Sequence, residues 1–284
     1  MRTALIDIGS NTIRFVAYQQ DRQIENFAEH AGLIADVSGG RISPAGISKL
    51  VKALTAMNKR AAELECDTVY AFATASLRNI EDKRSLSDYI RSVTGTEIDF
   101  ISGEQEAMYD FAGLRSMYNE SSGAAFDLGG GSCQLIYYER DKVCEFKSLP
   151  IGSLKLYTAY VNGEIPTEEE KSRIARRVRI ELSKLALLKQ CGADKLYAMG
   201  GAGFALAKVS AVLFGGDGKR LSCQELEKIA GVTAQELLSI VPKRVRTAIP
   251  AAVTMIEILK FTGAAEIEVT EAGVRDGILH SRFL

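Results

Sequence analysis

Apolar and polar positions along the chain alternate between two periods. Residues 3–8, T-A-L-I-D-I, form a short apolar run that predicts a buried strand. Gly9-Ser10-Asn11 breaks it as a turn, and residues 12–18, T-I-R-F-V-A-Y, predict the return strand of a hairpin. A third, looser strand lies within 23–35. Pro44 opens a helix to about Leu64, with Ile47, Leu50, Val51, Leu54 and Met57 at helical spacing. A buried strand at 68–73 leads into a loop, T-A-S-L-R-N. A helix near 82–93, a strand near 97–101 and a helix at about 103–115 follow.

The pattern then restarts. I-D-I-G-S-N-T-I-R-F-V-A-Y at 6–18 aligns with F-D-L-G-G-G-S-C-Q-L-I-Y-Y at 126–138. Asp7 falls on Asp127, Gly9 on Gly129 and Tyr18 on Tyr138. Each copy reads strand, Asp-x-Gly turn, strand, and then alternates strands with helices. A repeat this long predicts a duplicated domain, since solenoid periods are shorter. The second copy continues with a strand near 143–149, a turn at P-I-G-S and a helix over 167–189. Thr167 and Glu170 make a capping box for that helix. A strand at 196–199 meets Gly200-Gly201-Ala202-Gly203 and a helix. Helices near 222–241 and 250–262, a strand at 266–269 and a helix near 274–282 complete the chain. This alternation is the α/β class. The polar stretch N-E-S-S-G at 119–123 divides residues 1–119 from 120–284.

Composition narrows the chemistry. Of 284 residues, 35 are Lys or Arg and 36 Asp or Glu, a net charge of −1 that argues against nucleic-acid binding driven by phosphate contacts. No apolar run has the length of a membrane span. The N-terminus, M-R-T-A-L-I-D-I-G, is interrupted by an acid and does not read as a signal peptide, so the expected location is cytoplasmic. Cys66, Cys133, Cys144, Cys191 and Cys223 form no C-x-x-C pair and read as reduced, small apolar residues. With His30 and His280 as its only histidines, the chain has little material for Ser-His-Asp, Cys-His or zinc chemistry. Carboxylates, backbone amides, arginine and a hard cation remain.

The glycine turns suit phosphate. Glycine lets the backbone approach a ligand closely, and successive amides aimed into one concavity suit phosphate oxygens. Asp7 and Asp127, just before the turns, are placed to hold a divalent cation directly or through water. Two such hairpins facing one another across a cleft would clamp a phosphate chain. Gly200 and Gly201 open a helix whose first amides would add anion affinity. D-I-G-S-N alone needs no explanation beyond a tight hairpin. D-L-G-G-G-S is harder to explain without a ligand, because three consecutive glycines weaken the local structure.

I-S-G-E-Q-E-A at 101–107 puts Glu104 and Glu106 in a first helical turn, where acids complement the helix dipole with no further role. Glu106 shares a helix face with Asp110, and neighbouring acids raise one pKa toward a base's working range. Spacing alone favours the dipole explanation. Arg78 follows a buried strand and suits a phosphate fork or a plain surface position. The run Lys171, Arg173, Arg176, Arg177, Arg179 is spread around its helix and reads mostly as a solvated face.

Together the motifs resemble the exopolyphosphatase / guanosine pentaphosphate phosphohydrolase (Ppx/GppA) family over nearly the whole chain. D-I-G-S-N-T-I-R resembles its first phosphate motif, A-T-A-S-L-R-N its arginine loop, I-S-G-E-Q-E-A its G-x-x-E-A motif and D-L-G-G-G-S its second phosphate motif. L-P-I-G-S-L-K-L, M-G-G-A-G and E-A-G-V-R-D-G-I-L also fit. The resemblance implies two duplicated ribonuclease-H-like domains of the actin/hexokinase/Hsp70 type with substrate between them. It implies Mg²⁺-dependent release of terminal phosphate from polyphosphate or guanosine pentaphosphate, in the setting of the stringent response. By position, Glu106 becomes the general base and Asp127 a catalytic, metal-associated acid, with Asp7 a second metal residue. Ser10, Asn11, Arg78, Gly129, Gly130, Gly131 and Ser132 become phosphate contacts. A homodimer also comes with the resemblance; nucleic acid and membrane do not.

The chain departs from the family pattern in places. Ser132-Cys133-Gln134 stands where the family usually reads S-T-E, and an amide cannot supply a glutamate's charge. R-T-A-I-P-A-A at 246–252 replaces the usual arginine-x-aspartate segment, and A-G-L-I-A-D-V-S-G-G lacks the usual charged pattern. The resemblance is to the short two-domain form, without the extra helical domain of long members, so processive action on long chains, where that domain contributes to it, is not expected. Gln134 supports an alternative, a weakened member that binds or senses (p)ppGpp or polyphosphate. A small-molecule kinase of the same superfamily is a further alternative, against which the G-x-x-E-A motif argues.

Overall fold

A computed structural model of the chain describes residues 1–189 and 195–284. By compactness the chain divides into Met1–Glu106 with Ile278–Leu284, and Ala107–Gly277. The sequence reading drew its line after residue 119, where the repeat restarts. Compactness draws it earlier because most of the preceding helix packs with the second unit.

The first unit holds a five-stranded sheet in the order β3-β2-β1-β6-β7. Its strands are β1 (Arg2–Ile8), β2 (Thr12–Gln19), β3 (Arg22–His30), β6 (Thr68–Ala73) and β7 (Ile98–Phe100). The short pair β4 (Val37–Ser38) and β5 (Arg41–Ile42) lies outside that sheet. β1 is central and apolar on both faces, and β6 and β7 run parallel to it. Helix α1 (Pro44–Glu63) starts where the Ser43 side chain accepts from Gly46 N–H, with Pro44 in the first turn. It buries Leu50, Leu54, Met57 and Ala61 against Ile6, Ile8 and Phe15. Short α2 (Ala75–Arg78) occupies the stretch expected to be a loop, and α3 (Lys83–Thr94) matches expectation. Helix α4 (Gly103–Met117) carries the chain from the first unit into the second.

The second unit holds a six-stranded sheet in the order β10-β9-β8-β11-β13-β12. Its strands are β8 (Gly123–Leu128), β9 (Cys133–Glu139), β10 (Lys142–Leu149), β11 (Leu196–Met199), β12 (Arg220–Ser222) and β13 (Glu266–Val269). Its helices are α5 (Ser153–Tyr160), α6 (Glu168–Leu182), α7 (Gly201–Phe214), α8 (Cys223–Ala230), α9 (Ala234–Ile240), α10 (Val245–Thr262) and α11 (Val274–Arg282), the last of which ends in the first unit. Phe126, Leu128 and Leu135 on one face pack with Leu206, Val209 and Ile249. Tyr138, Tyr197 and Met199 on the other pack with Phe111 and Leu114.

The duplication is written in the strand register. In the first unit Asp7 pairs across β1–β2 with Arg14 and Ile8 with Ile13; in the second Asp127 pairs with Gln134 and Leu128 with Cys133. The next strand pair repeats it, Ile13 with Glu29 and Cys133 with Leu149. A β-bulge interrupts both outer ladders at the same place, at Ile24 in β3 and Cys144 in β10. Three strands and an irregularity thus repeat in step with the Asp7-to-Asp127 match, and the units are duplicated ribonuclease-H-like α/β sheets.

Several elements differ from expectation for local reasons. The helix expected over 222–241 is two helices, because Thr233 and Glu236 form a second capping box after Gly231. The helix expected to reach 189 ends at Leu182. α10 begins at Val245, so Pro250 lies inside it and removes the backbone N–H that would bond Arg246. The edge strand β12 and helix α5 carry no strong pattern and were not anticipated. Cys191 lies outside the described residues; Cys66, Cys133, Cys144 and Cys223 are free thiols.

Candidate active site

In the first unit, β1, β6 and β7 end together and bring five predicted residues, Asp7, Ser10, Asn11, Arg78 and Glu106, to one end of the sheet. The turn after Asp7 closes when Gly9 N–H donates to Thr12 O at 3.0 Å. The Asn11 carbonyl accepts from Ala31 and Gly32, and the Ser10 carbonyl from Ile34. All described peptides are trans, so each C=O is antiparallel to the N–H of the same peptide. Tying those carbonyls back therefore turns the N–H groups of Asn11 and Thr12 the opposite way, the orientation an anion-binding turn needs. β6 joins this end through Thr74 N–H on Ile8 O at 3.2 Å, and β7 through Ile101 N–H on Ala73 O at 3.2 Å.

Arg78 ends α2, and Glu106 sits in the first turn of α4. The Arg78 guanidinium donates through Nε to Ile101 O at 3.0 Å and through Nη2 to a Glu106 carboxylate oxygen. The side chains are 14% and 7% exposed. The sequence reading gave Arg78 to phosphate and Glu106 to proton transfer; the structure makes them one buried ion pair. Asp110, one turn further on, is fully buried.

In the second unit the hairpin repeats with a different brace. Gly129 N–H donates to Ser132 O at 3.0 Å, the counterpart of the Gly9–Thr12 bond. The Gly129 carbonyl accepts from Ser153 N–H and the Gly130 carbonyl from Lys155 N–H, each at 2.9 Å. The start of α5 thus holds the loop carbonyls, and the Gly130 and Gly131 N–H groups turn away from it. Gly152 makes this approach possible: a Cβ there would lie 2.4 Å from both Gly131 C and Ser132 N.

Asp127 ends beside the start of α7. β8 and β11 pair in parallel with Asp127 opposite Met199, so Gly200 follows directly alongside. Gly200 has φ 82° and ψ 165°, a conformation open essentially to glycine alone. A Cβ there would fall 2.2 Å from Asp127 Oδ1, and one on Gly201 2.3 Å from Arg244 Nη2. A carboxylate at the positive end of a helix is electrostatically favoured. Gln134, 1% exposed, lies across the ladder from Asp127. Its Nε2 donates to Ser132 Oγ at 2.8 Å and Ser148 Oγ at 3.1 Å.

The predicted residues therefore fall into two clusters. Asp7, Ser10, Asn11, Arg78 and Glu106 belong to the first unit; Asp127, Gly129, Gly130, Gly131, Ser132, Gln134, Gly200 and Gly201 belong to the second. Sequence reasoning missed Arg244, Ser148 and the bracing role of Gly152. Gly152 was within the recognised L-P-I-G-S stretch, but its task depends on a loop far back in the chain. The basic run on α6 is largely neutralised: Arg177 pairs with Glu181 at 2.6 Å, Arg179 with Glu257 at 3.0 Å and Lys171 with Glu168. A cavity of about 780 Å³ beside the starts of β6 and β7 shares no residue with either cluster.

Asp7 and Asp127 were expected to hold Mg²⁺. That ion asks for an octahedron of oxygens, with one or two carboxylates plus water or phosphate. Within the first unit Asp7 lies opposite Arg14 and Glu106 is engaged by Arg78; within the second Asp127 lies opposite an amide. Among the described residues no group of three or more His, Cys, Asp or Glu is placed to hold a metal ion. Among the described residues, neither unit by itself offers a ready-made cation site.

The chain is 27% identical to Exopolyphosphatase 1 of Mycobacterium tuberculosis over 192 residues, 65% of this chain and 56% of that protein. It is 21% identical to the guanosine-5′-triphosphate,3′-diphosphate pyrophosphatase of Aeromonas hydrophila over 291 residues, 98% of this chain and 58% of that one. The alignments span little more than half the length of these relatives. The crystal structure of the Aquifex aeolicus Ppx/GppA phosphatase, type II variant, superposes with a TM-score of 0.77 at 25% identity and covers all of both chains. The profile of the Ppx/GppA phosphatase family matches residues 20–284, which include the arginine loop, Glu106 and the second glycine hairpin, and the chain belongs to that family.

Proposed function

We propose that the protein is a phosphoanhydride hydrolase that releases the terminal phosphate of inorganic polyphosphate or guanosine pentaphosphate. The observation that carries this reading is Glu106, a buried carboxylate at the start of α4, gripped by Arg78. An acid in a first helical turn with no other task would lie in solvent. Names of relatives support the substrate class: one is an exopolyphosphatase, another a guanosine-5′-triphosphate,3′-diphosphate pyrophosphatase.

In this mechanism the loop amides of a glycine hairpin bind phosphate oxygens, with its own serine, Ser10 or Ser132, beside them. Glu106 accepts a proton from the water that attacks the terminal phosphorus. Arg78 orients Glu106 in the free protein and shifts part of its fork to phosphate when substrate arrives. Phosphoryl transfer asks mainly for positioning and charge neutralisation, which amides and arginines supply. Mg²⁺ would add charge neutralisation on the phosphate chain.

A second reading has one observation in its favour. The buried Gln134 amide, tied to two serines, puts a neutral group beside Asp127 and suits a protein that binds a polyphosphorylated ligand without turning it over.

Phosphate release from polyphosphate and guanosine pentaphosphate separates the two. A hydrolase releases phosphate as wild type and loses about 10²- to 10⁴-fold in kcat as Glu106→Gln, the size of a general-base contribution. A wild type that binds these ligands and releases no phosphate establishes the binding reading.

A further inference from the structure

The second-unit site presents donors where a cation needs acceptors. Asp127 is its one carboxylate. The residue directly across the ladder is Gln134, whose NH₂ group is directed to the hydroxyls of Ser132 and Ser148. On the other side Asp127 meets Gly200, at the positive N-terminal end of the fourteen-residue helix α7. The Arg244 guanidinium lies over the next residue, Gly201. The first unit has the same balance, with Arg14 across from Asp7 and Arg78 on Glu106.

A bare divalent cation gains little from such surroundings. It would give up one or two of six tightly held waters for a single carboxylate amid donors and positive charge. A polyphosphate chain changes that balance. Its oxygens satisfy the amides, and its remaining charge supplies the missing ligands.

We propose that this protein does not hold its divalent cation in advance, but takes it up as a metal–polyphosphate complex, with Gln134 as the residue that sets this order. The inference rests on the reading of the site as one for phosphoanhydrides. It goes further by naming the species bound, the metal-loaded phosphate chain rather than the free chain on a metal-loaded protein. Position 134 is suited to a clean test. A glutamate there keeps the size of the side chain, and Ser132 and Ser148 can donate to it through their hydroxyls, so Gln134→Glu adds a carboxylate beside Asp127 without leaving a buried group unpaired.

The experiment is equilibrium dialysis of the whole chain with Mn²⁺ as the probe ion, with and without inorganic tripolyphosphate, scoring both metal and phosphate in the protein chamber. Wild type is expected to retain no excess Mn²⁺ alone and about one equivalent when tripolyphosphate is present. Gln134→Glu is expected to retain Mn²⁺ without phosphate, at least about tenfold more tightly than wild type. Saturable retention of Mn²⁺ by wild type without phosphate overturns the proposal, as does a Gln134→Glu protein that gains no affinity. Tripolyphosphate retained without Mn²⁺ overturns it while leaving the phosphoanhydride reading intact. If tripolyphosphate is not retained at all, that reading fails and the proposal falls with it.

Discussion

At the scale of single residues, the Arg78–Glu106 pair decides most. Two opposite charges with side chains 14% and 7% exposed are costly to separate, because each alone would be desolvated without compensation. Arg78→Ala is therefore expected to lower unfolding free energy by about 3 kcal/mol, the lower end for breaking a buried pair. The double variant Arg78→Ala/Glu106→Ala is expected to recover part of that loss, since it leaves no orphaned charge. Urea unfolding of the four proteins in the cycle measures the coupling. If the double variant loses as much as the two single losses added together, the side chains are not coupled and Arg78 has another task. The sequence named both residues and gave them separate roles. What it could not show was that they meet, because they lie 28 positions apart, with α3 and β7 between them.

At the scale of elements, the two glycine hairpins use one design with two braces. Carbonyls of the first are tied to the segment 31–34, those of the second to the first turn of α5. In both, the bonds fix peptide planes rather than side chains, so the loop sequences can differ while the amide directions agree. Gly152 is where this design is most exposed to mutation. A methyl group there meets backbone atoms of Gly131 and Ser132, which cannot move aside as a flexible side chain would. Gly152→Ala is expected to shift the second loop and weaken tripolyphosphate binding by about tenfold or more, the scale of a lost positioned contact. Ser153→Ala, which removes only the 3.3 Å hydroxyl bond to Gly129 O, is expected to bind almost as wild type. Calorimetric titration of both variants checks the contrast. The hairpin was legible from D-L-G-G-G-S, but α5 was not, because S-L-K-L-Y-T-A-Y carries a weak helical stripe and no side-chain cap.

At the scale of the whole molecule, acid stability follows from how its helices and turns are capped. Asp217 is held down to about 2 by the amides of Arg220 and Lys219. Glu170 is lowered by the amides of Thr167 and Asn162, and Glu236 by that of Thr233. Each binds a proton less readily folded than unfolded. Their stabilisation is complete above the unfolded values, 3.8 for Asp and 4.5 for Glu, and is lost as pH falls through the lower folded ones. The thermal midpoint is expected to hold from neutral pH to about pH 5 and then fall steadily. A midpoint that rises on acidification would contradict this sign. Glu170→Gln is expected to flatten the curve, because it removes one such group.

The sequence by itself determined what short-range physics dictates. Apolar runs set β1, β6, β11 and β13; the Thr167–Glu170 capping box set the start of α6; the Asp-x-Gly turns announced the repeat. A run, a cap or a turn is an energy paid among residues within a few positions of one another, so it can be read there. Tertiary structure decided the rest. The exact step of the duplication, down to the bulges at Ile24 and Cys144, appears in the pairing of strands, since few side chains are shared between the copies. Arg244 over Gly201, Asp127 against Gly200 and Gly152 against the glycine loop all depend on strand order, which places distant segments side by side. Their identities were in the sequence throughout, while their meeting is a property of the sheets.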